Sequence, residues 1–204
     1  MKLFIPLLLC ASLGACCPPC DKPDLGDFYL RQQTGTWTDV LSSGGHFFED
    51  ENGNQVLLSY APPETGFEEV LSDCDIDDRC GTCCVSYRSA YVYTRLESPG
   101  APYAFDIWFQ KDFATRDPLR DSTDIGDMLV ITFNNRLTCT LNGLPDTLLA
   151  RNVTLNGRVF TRVFAHEIFS PNLSPTEPAA IYYTRAEGLV GFALNNGQTW
   201  SLMP

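Results

Sequence analysis

Four cysteines crowd one short stretch of this chain: Cys74, Cys80, Cys83 and Cys84. Four thiolates could hold a tetrahedral zinc ion. Yet Cys83 and Cys84 are adjacent, and neighbouring side chains on an extended backbone point to opposite faces. Disulfides are therefore expected ahead of metal. Cys80-Gly81-Thr82-Cys83 has the spacing of a redox pair. No strand–helix–strand pattern surrounds it to supply the helix terminus that lowers a thiol pKa. Cys139 lies beyond the central strands and is the expected partner of Cys83 or Cys84. Closing so large a loop restricts the unfolded chain, nominally by about 3–5 kcal/mol.

Asp73, Asp75, Asp77 and Asp78 share that stretch. Oxygen ligands at alternating positions suit calcium, but the twelve-residue calcium loop fails, because its glycine and final glutamate are missing. A solvated acidic loop is expected, with a calcium clip at Asp73–Asp78 left open. Asp117, Asp121, Asp124 and Asp127 are read the same way. His166-Glu167 begins like a zinc-protease motif, but Ser170 stands where the second histidine belongs. His46 follows Gly44-Gly45 and reads as a structural residue at a loop edge. No Gly-x-Ser-x-Gly elbow and no glycine-rich phosphate loop occurs. No catalytic, metal or cofactor-binding residue is assigned. Tyr91 and Tyr93 share one parity of their strand, and Trp108 opposes the parity of Phe105, Ile107 and Phe109. An exposed row of such aromatics could bind sugar, peptide or a protein partner.

The elements that must carry these residues are strands. Phe105, Ile107 and Phe109 alternate with Asp106, Trp108 and Gln110, and Leu129, Ile131 and Phe133 repeat the period of two. Asp50-Glu51-Asn52-Gly53-Asn54 separates two short runs as a hairpin turn, and Asn156-Gly157 is a type I′ signal. Ile181-Tyr182-Tyr183, Leu189 to Leu194 and Thr199 to Leu202 are three runs joined by glycine-bearing turns, a meander. Helices are scarce. Pro118–Asp127 and Leu144–Arg151 are the two short candidates, the second with Pro145 at a first helical position. The fold class expected is mainly β, an antiparallel meander forming a barrel or half-open barrel, with a two-sheet sandwich as the alternative.

At the start, Lys2 precedes the apolar run Leu3–Leu9, and Leu13-Gly14-Ala15-Cys16 follows. This is the layout of a secretion signal, too short for the roughly 20 residues of a membrane span. The last four residues resemble the lipobox of bacterial lipoproteins, in which the cysteine becomes the acylated first residue. Three divisions follow: 1–15 as lipoprotein signal peptide, 16–27 as lipidated Cys16 and flexible tether, and 28–204 as one β-rich domain. Twenty-five acidic residues oppose fourteen basic ones, a net charge of −11. That field repels nucleic acid and anionic headgroups, so no nucleic-acid partner is expected. Nine cysteines in an exported chain make disulfides the default.

Both ends of the chain are similar to a broad group of small Bacteroidota envelope lipoproteins of flavobacterial type. The carrying residues are the lipobox at Cys16, Gly157–Phe164, and Ile181–Phe192 with Asn196-Gly197 and Trp200 after it. The group has no agreed activity, and the resemblance implies an outer-membrane address with the facing leaflet undetermined. The combined expectation is a lipid-anchored protein of the outer envelope, attached to the membrane by its N-terminal lipid. It would have a non-catalytic binding or accessory role, within an envelope protein complex. A carrier of lipid or a small hydrophobic ligand is one alternative, and a glycan hydrolase with two facing carboxylates is the other.

Overall fold

The computed structural model describes residues 22–42, 44–77, 81–113, 125–134, 137–144, 150–168 and 173–204. These form a mostly antiparallel sheet of thirteen strands with one short helix. Strand β1 (Asp24–Phe28) leads into helix α1 (Gln32–Thr38), which tightens into a 3-10 turn over Asp39–Ser42. β2 (Gly45–Asp50) and β3 (Gln55–Tyr60) are the hairpin expected around Asp50–Asn54. β4 (Glu64–Asp77) and β5 (Gly81–Glu97) form a long antiparallel arm. β6 (Ala104–Lys111), β7 (Asp127–Phe133) and β8 (Leu137–Leu144) follow as a second meander. β9 (Arg151–Leu155) and β10 (Arg158–Glu167) turn on Asn156-Gly157, both at positive φ as a type I′ turn requires. β11 (Pro178–Thr184), β12 (Gly188–Leu194) and β13 (Thr199–Leu202) complete the closing meander.

The strand order is β8-β7-β6-β5-β3-β2-β13-β12-β11-β10-β9, with β1 and β4 paired to β5 off this path. The last strand therefore lies beside the first hairpin, Trp200 opposite Asp50. β5 is long enough to take partners at two levels. Val92–Glu97 pair with β6, while Ser86–Ser89 lie against parallel β1 and antiparallel β4.

The barrel expectation is corrected: β8 and β9 end the path, and no ladder between them closes the sheet. The physical reason lies in the core. Rings from the two halves of the sheet meet between its facing surfaces, Phe105 of β6 lying 5.1 Å from Phe192 of β12 between centroids and 5.1 Å from its cross-strand neighbour Phe133 on β7. That bulk is packed across the faces, and the sheet curls over it rather than meeting edge to edge. The period-two reading is met: Phe105, Ile107, Phe109, Leu129, Ile131 and Phe133 are all buried in one cluster. A smaller cluster of Phe28, Val85, Tyr87 and Ile125 sits at the root of the arm. The segment expected as tether up to residue 27 is strand from Asp24, and Asp27 there accepts two 2.7 Å bonds from Arg88.

The two helix expectations, Pro118–Asp127 and Leu144–Arg151, fall largely on 114–124 and 145–149, outside the described residues; at their described ends Asp127 opens β7, Leu144 closes β8 and Arg151 opens β9. The helix found among the described residues, α1, has no sequence repeat to announce it. Tertiary contacts hold it instead. Thr34, Trp37 and Leu41 are its buried row. Asp127, fully buried, accepts the Arg31 backbone N–H at 2.7 Å, the Thr34 hydroxyl, and Lys111 Nζ at 2.7 Å. A buried carboxylate needs such partners, and these three tie the helix start to β6 and β7. Trp37 is thereby set in place, 5.0 Å from Phe164 and stacked on Tyr183 at 6.3 Å.

Candidate functional site

The aromatics singled out from sequence do meet. Trp108 lies 4.3 Å from Tyr93 and 5.6 Å from Tyr91 on the outer face of β5 and β6. All three are half-buried, so they cover one another rather than standing free. Tyr93 donates to Asp106 Oδ1 at 2.7 Å, and Arg95 reaches the same oxygen at 3.3 Å. Burial, and then that bond, raises the Tyr93 pKa above its ordinary value. Tyr91 folds over Gly66, where a Cβ would stand 2.8 Å from the phenol oxygen.

The cysteine reading needs correction. Cys139 does not bridge to Cys83 or Cys84: it is a free thiol, buried on β8 opposite Ile131. Burial in the main core pushes its pKa up to about 12. Cys84 is disulfide-bonded, and its partner lies outside the described side chains. The side chains of Cys74, Cys80, Cys83, Asp73, Asp75, Asp77 and Asp78 fall outside the description as well. So does the stretch 1–21, with Cys16 and the whole signal reading. Among the described residues no helix is long and apolar enough to cross a membrane. The described residues bear out the expected β-sheet and give no support to the expected signal, lipoprotein, palmitate or membrane attachment, and the expected bridge through Cys139 is corrected to a free core thiol. Of the histidines, His46 packs edge-on to Tyr60 at 5.6 Å, with its pKa lowered by burial. His166 pairs with Ile181 inside the sheet.

Sequence reasoning missed a concave site beside helix α1. β10 pairs with β9 over Arg158–Val163 and with β11 over Phe164–Glu167, and its register slips between Phe160 and Val163. The slip is a bulge at Thr161-Arg162, where Arg162 takes φ +53°. Bulges re-aim a side chain and recur beside functional sites. The β10–β11 ladder starts just beyond the bulge, at Phe164 and Tyr183, and Arg162 and Arg185 both lie outside it beside one cavity. A cavity of about 350 Å3 opens there, between β10 and the turn joining β11 to β12. Arg162, Arg185, Thr36 and Thr161 stand around it; Trp37 and Phe164 form its buried floor, with Ala150 and Ala186 beside them.

The charges around this cavity are unevenly matched. Arg88 holds Asp27, Arg95 holds Glu97 and Asp106, Arg151 holds Glu167, and Arg158 holds Glu187. Arg162 and Arg185 hold no carboxylate among the described residues. Among the described residues Arg185 donates to the Thr36 hydroxyl, at 2.6 Å. The described carboxylate on the wall, Glu187, is turned to Arg158 at 3.1 Å. Positive charge is thus left beside the cavity that an anion would offset. The local signal for it was the run Phe160-Thr161-Arg162-Val163, which breaks the alternation of β10 with two polar residues in a row.

A second cavity, about 300 Å3, lies among Pro102, Phe133, Asn134 and Glu177. Asn134 there closes its own turn, donating to the Pro102 carbonyl at 2.8 Å and accepting the Ala104 N–H at 2.9 Å. No protein-family model matches this chain, and neither a curated protein nor a solved structure matches it. The likeness read from the two ends of the sequence therefore gains no support from these comparisons.

Proposed function

We propose that this chain is a non-catalytic binding domain and that the cavity beside α1 is its binding site. The observation that carries the reading is that Arg162 and Arg185, both without a carboxylate partner among the described residues, line one preformed hollow. Its volume falls at the lower end of the about 300–1,000 Å3 common for small-molecule sites. Guanidinium and hydroxyl groups are donors for holding an oxyanion and do not serve as bases at neutral pH. A carrier with a hollow interior is the less favoured reading, because the space between the faces is filled by Phe105, Phe133 and Phe192. A glycan hydrolase is disfavoured at this cavity, where the carboxylate on the wall, Glu187, is committed to Arg158.

The test is a thermal-shift survey of small metabolites on the intact chain and on Ala186→Trp, a change on the exposed turn that would fill the hollow. Binding predicts compounds that raise the melting temperature of the first protein and not the second, and that are recovered chemically unchanged. Conversion of such a compound to product would overturn the non-catalytic reading. Equal shifts in both proteins would overturn the placement of the site.

A further inference from the structure

We infer that the ligand of this cavity is a small amphipathic oxyanion, an organic acid or phosphate ester whose head sits between Arg162 and Arg185 and whose apolar body enters toward Trp37 and Phe164. The inference rests on the reading of the cavity as a binding site and adds the chemical class of its occupant. Three features specify the head. Among the described residues the cavity wall carries two arginines against one glutamate, and Arg158 neutralises that glutamate from outside the wall. The whole chain is strongly acidic, at −11, so two guanidiniums with no described carboxylate partner beside one cavity are a local inversion of its field. Guanidinium forks match the oxygen pairs of carboxylate and phosphate, and their bonds to an ionised acceptor are the strong ones.

The backbone adds an independent argument. Arg162 is held at φ +53° in a bulge, a conformation that glycine would take without strain. Strain of this kind persists where a site needs a side chain aimed. The bulge lies within the β9-paired part of β10, just before the part that pairs with β11, and Thr161 and Arg162 both line the cavity. Two features specify the body. The floor is Trp37 and Phe164, and the small apolar residues Ala150 and Ala186 line the cavity beside them. A bare inorganic anion would leave that apolar wall facing water, whereas a chain or ring would cover it.

The experiment is calorimetric titration of the intact chain with octanoate, octyl phosphate, 1-octanol and inorganic phosphate, repeated on Arg162→Gly and Arg185→Gln. We expect octanoate or octyl phosphate to bind at least about tenfold tighter than octanol, and each substitution to remove about tenfold of that affinity. Octanol binding should not change. The tighter of the two acids identifies the head. Octanol binding as well as both acids, unaffected by either substitution, would overturn the anionic class while leaving the binding site in place. Inorganic phosphate binding as tightly as octyl phosphate would overturn the apolar body. No binding by any of the four, in a chain whose melting temperature responds to other compounds through the cavity, would overturn the class alone. No response to any compound would overturn the binding site itself.

Discussion

Arg162→Gly separates a side chain kept for a ligand from one kept for the fold. The left-handed conformation costs an L-residue about 1–2 kcal/mol, and Arg162 occupies it at φ +53°. Glycine avoids that cost but loses more chain entropy on folding, about 0.5–1 kcal/mol. No hydrogen bond or ion pair of Arg162 is lost among the described residues. The sum is a ligand-free protein between unchanged and about 1.5 kcal/mol more stable. At about 2–4 °C per kcal/mol for a chain of this size, the melting temperature should rise by up to about 6 °C. Urea denaturation and thermal melting, followed by tryptophan fluorescence, measure both. A loss of more than about 1 kcal/mol would refute the reasoning, because the arginine would then be supporting the bulge by contacts. Arg162→Val supplies the opposite sign: a β-branched residue at positive φ is a true outlier and should destabilise.

Lys111→Met leaves Asp127 buried without its counter-charge and should cost about 3–5 kcal/mol in urea denaturation; a cost below about 1 kcal/mol would mean the Arg31 and Thr34 bonds suffice. Asp50 has its own pH window. Burial alone would raise its pKa, but side-chain bonds from Asn54 and Gln198 and the backbone N–H groups of Asn54 and Asn52 outweigh that and hold it at about 2. A folded value below the unfolded 3.8 means that its contribution is present above about pH 4 and is lost as pH falls through about 2. Acid denaturation of the wild type should therefore be steeper in that window than that of Asp50→Asn, and parallel curves would contradict this. Cys139, with its pKa near 12, should resist iodoacetamide at pH 8 in the folded chain and react once unfolded. Peptide mapping that finds it labelled in the native protein would contradict its placement in the core.

Much of the sheet was legible because its strands have one wet and one dry face. Phe105, Ile107 and Phe109 declared their parity, and Asn156-Gly157 declared its turn. Cys139 was equally legible once parity is applied: Leu137, Cys139 and Leu141 alternate with threonine and asparagine, so the thiol is a core residue before it is a staple. Helix α1 was hidden because Gln32-Gln33-Thr34-Gly35-Thr36-Trp37-Thr38 holds weak helix formers and one large apolar residue. Its stability comes from Asp127 and the core, both distant in sequence. Sheet closure was hidden for a similar reason, since the curl depends on rings from β6 and β12 meeting across the molecule. The cavity was the least legible feature. Arg162 and Arg185 come to one cavity only in the folded sheet, and the broken alternation at Thr161-Arg162 gives the bulge but not its neighbour.

The most direct test of the account follows the arginine side chains themselves. In a spectrum of the Nε–Hε resonances, titration with octanoate should move the Arg162 and Arg185 signals along a saturable one-site curve. Those of Arg88 and Arg151, already paired to Asp27 and Glu167, should stay in place. Signals of all four drifting together without saturation, or Arg162 and Arg185 remaining still while the acid binds elsewhere, would contradict it.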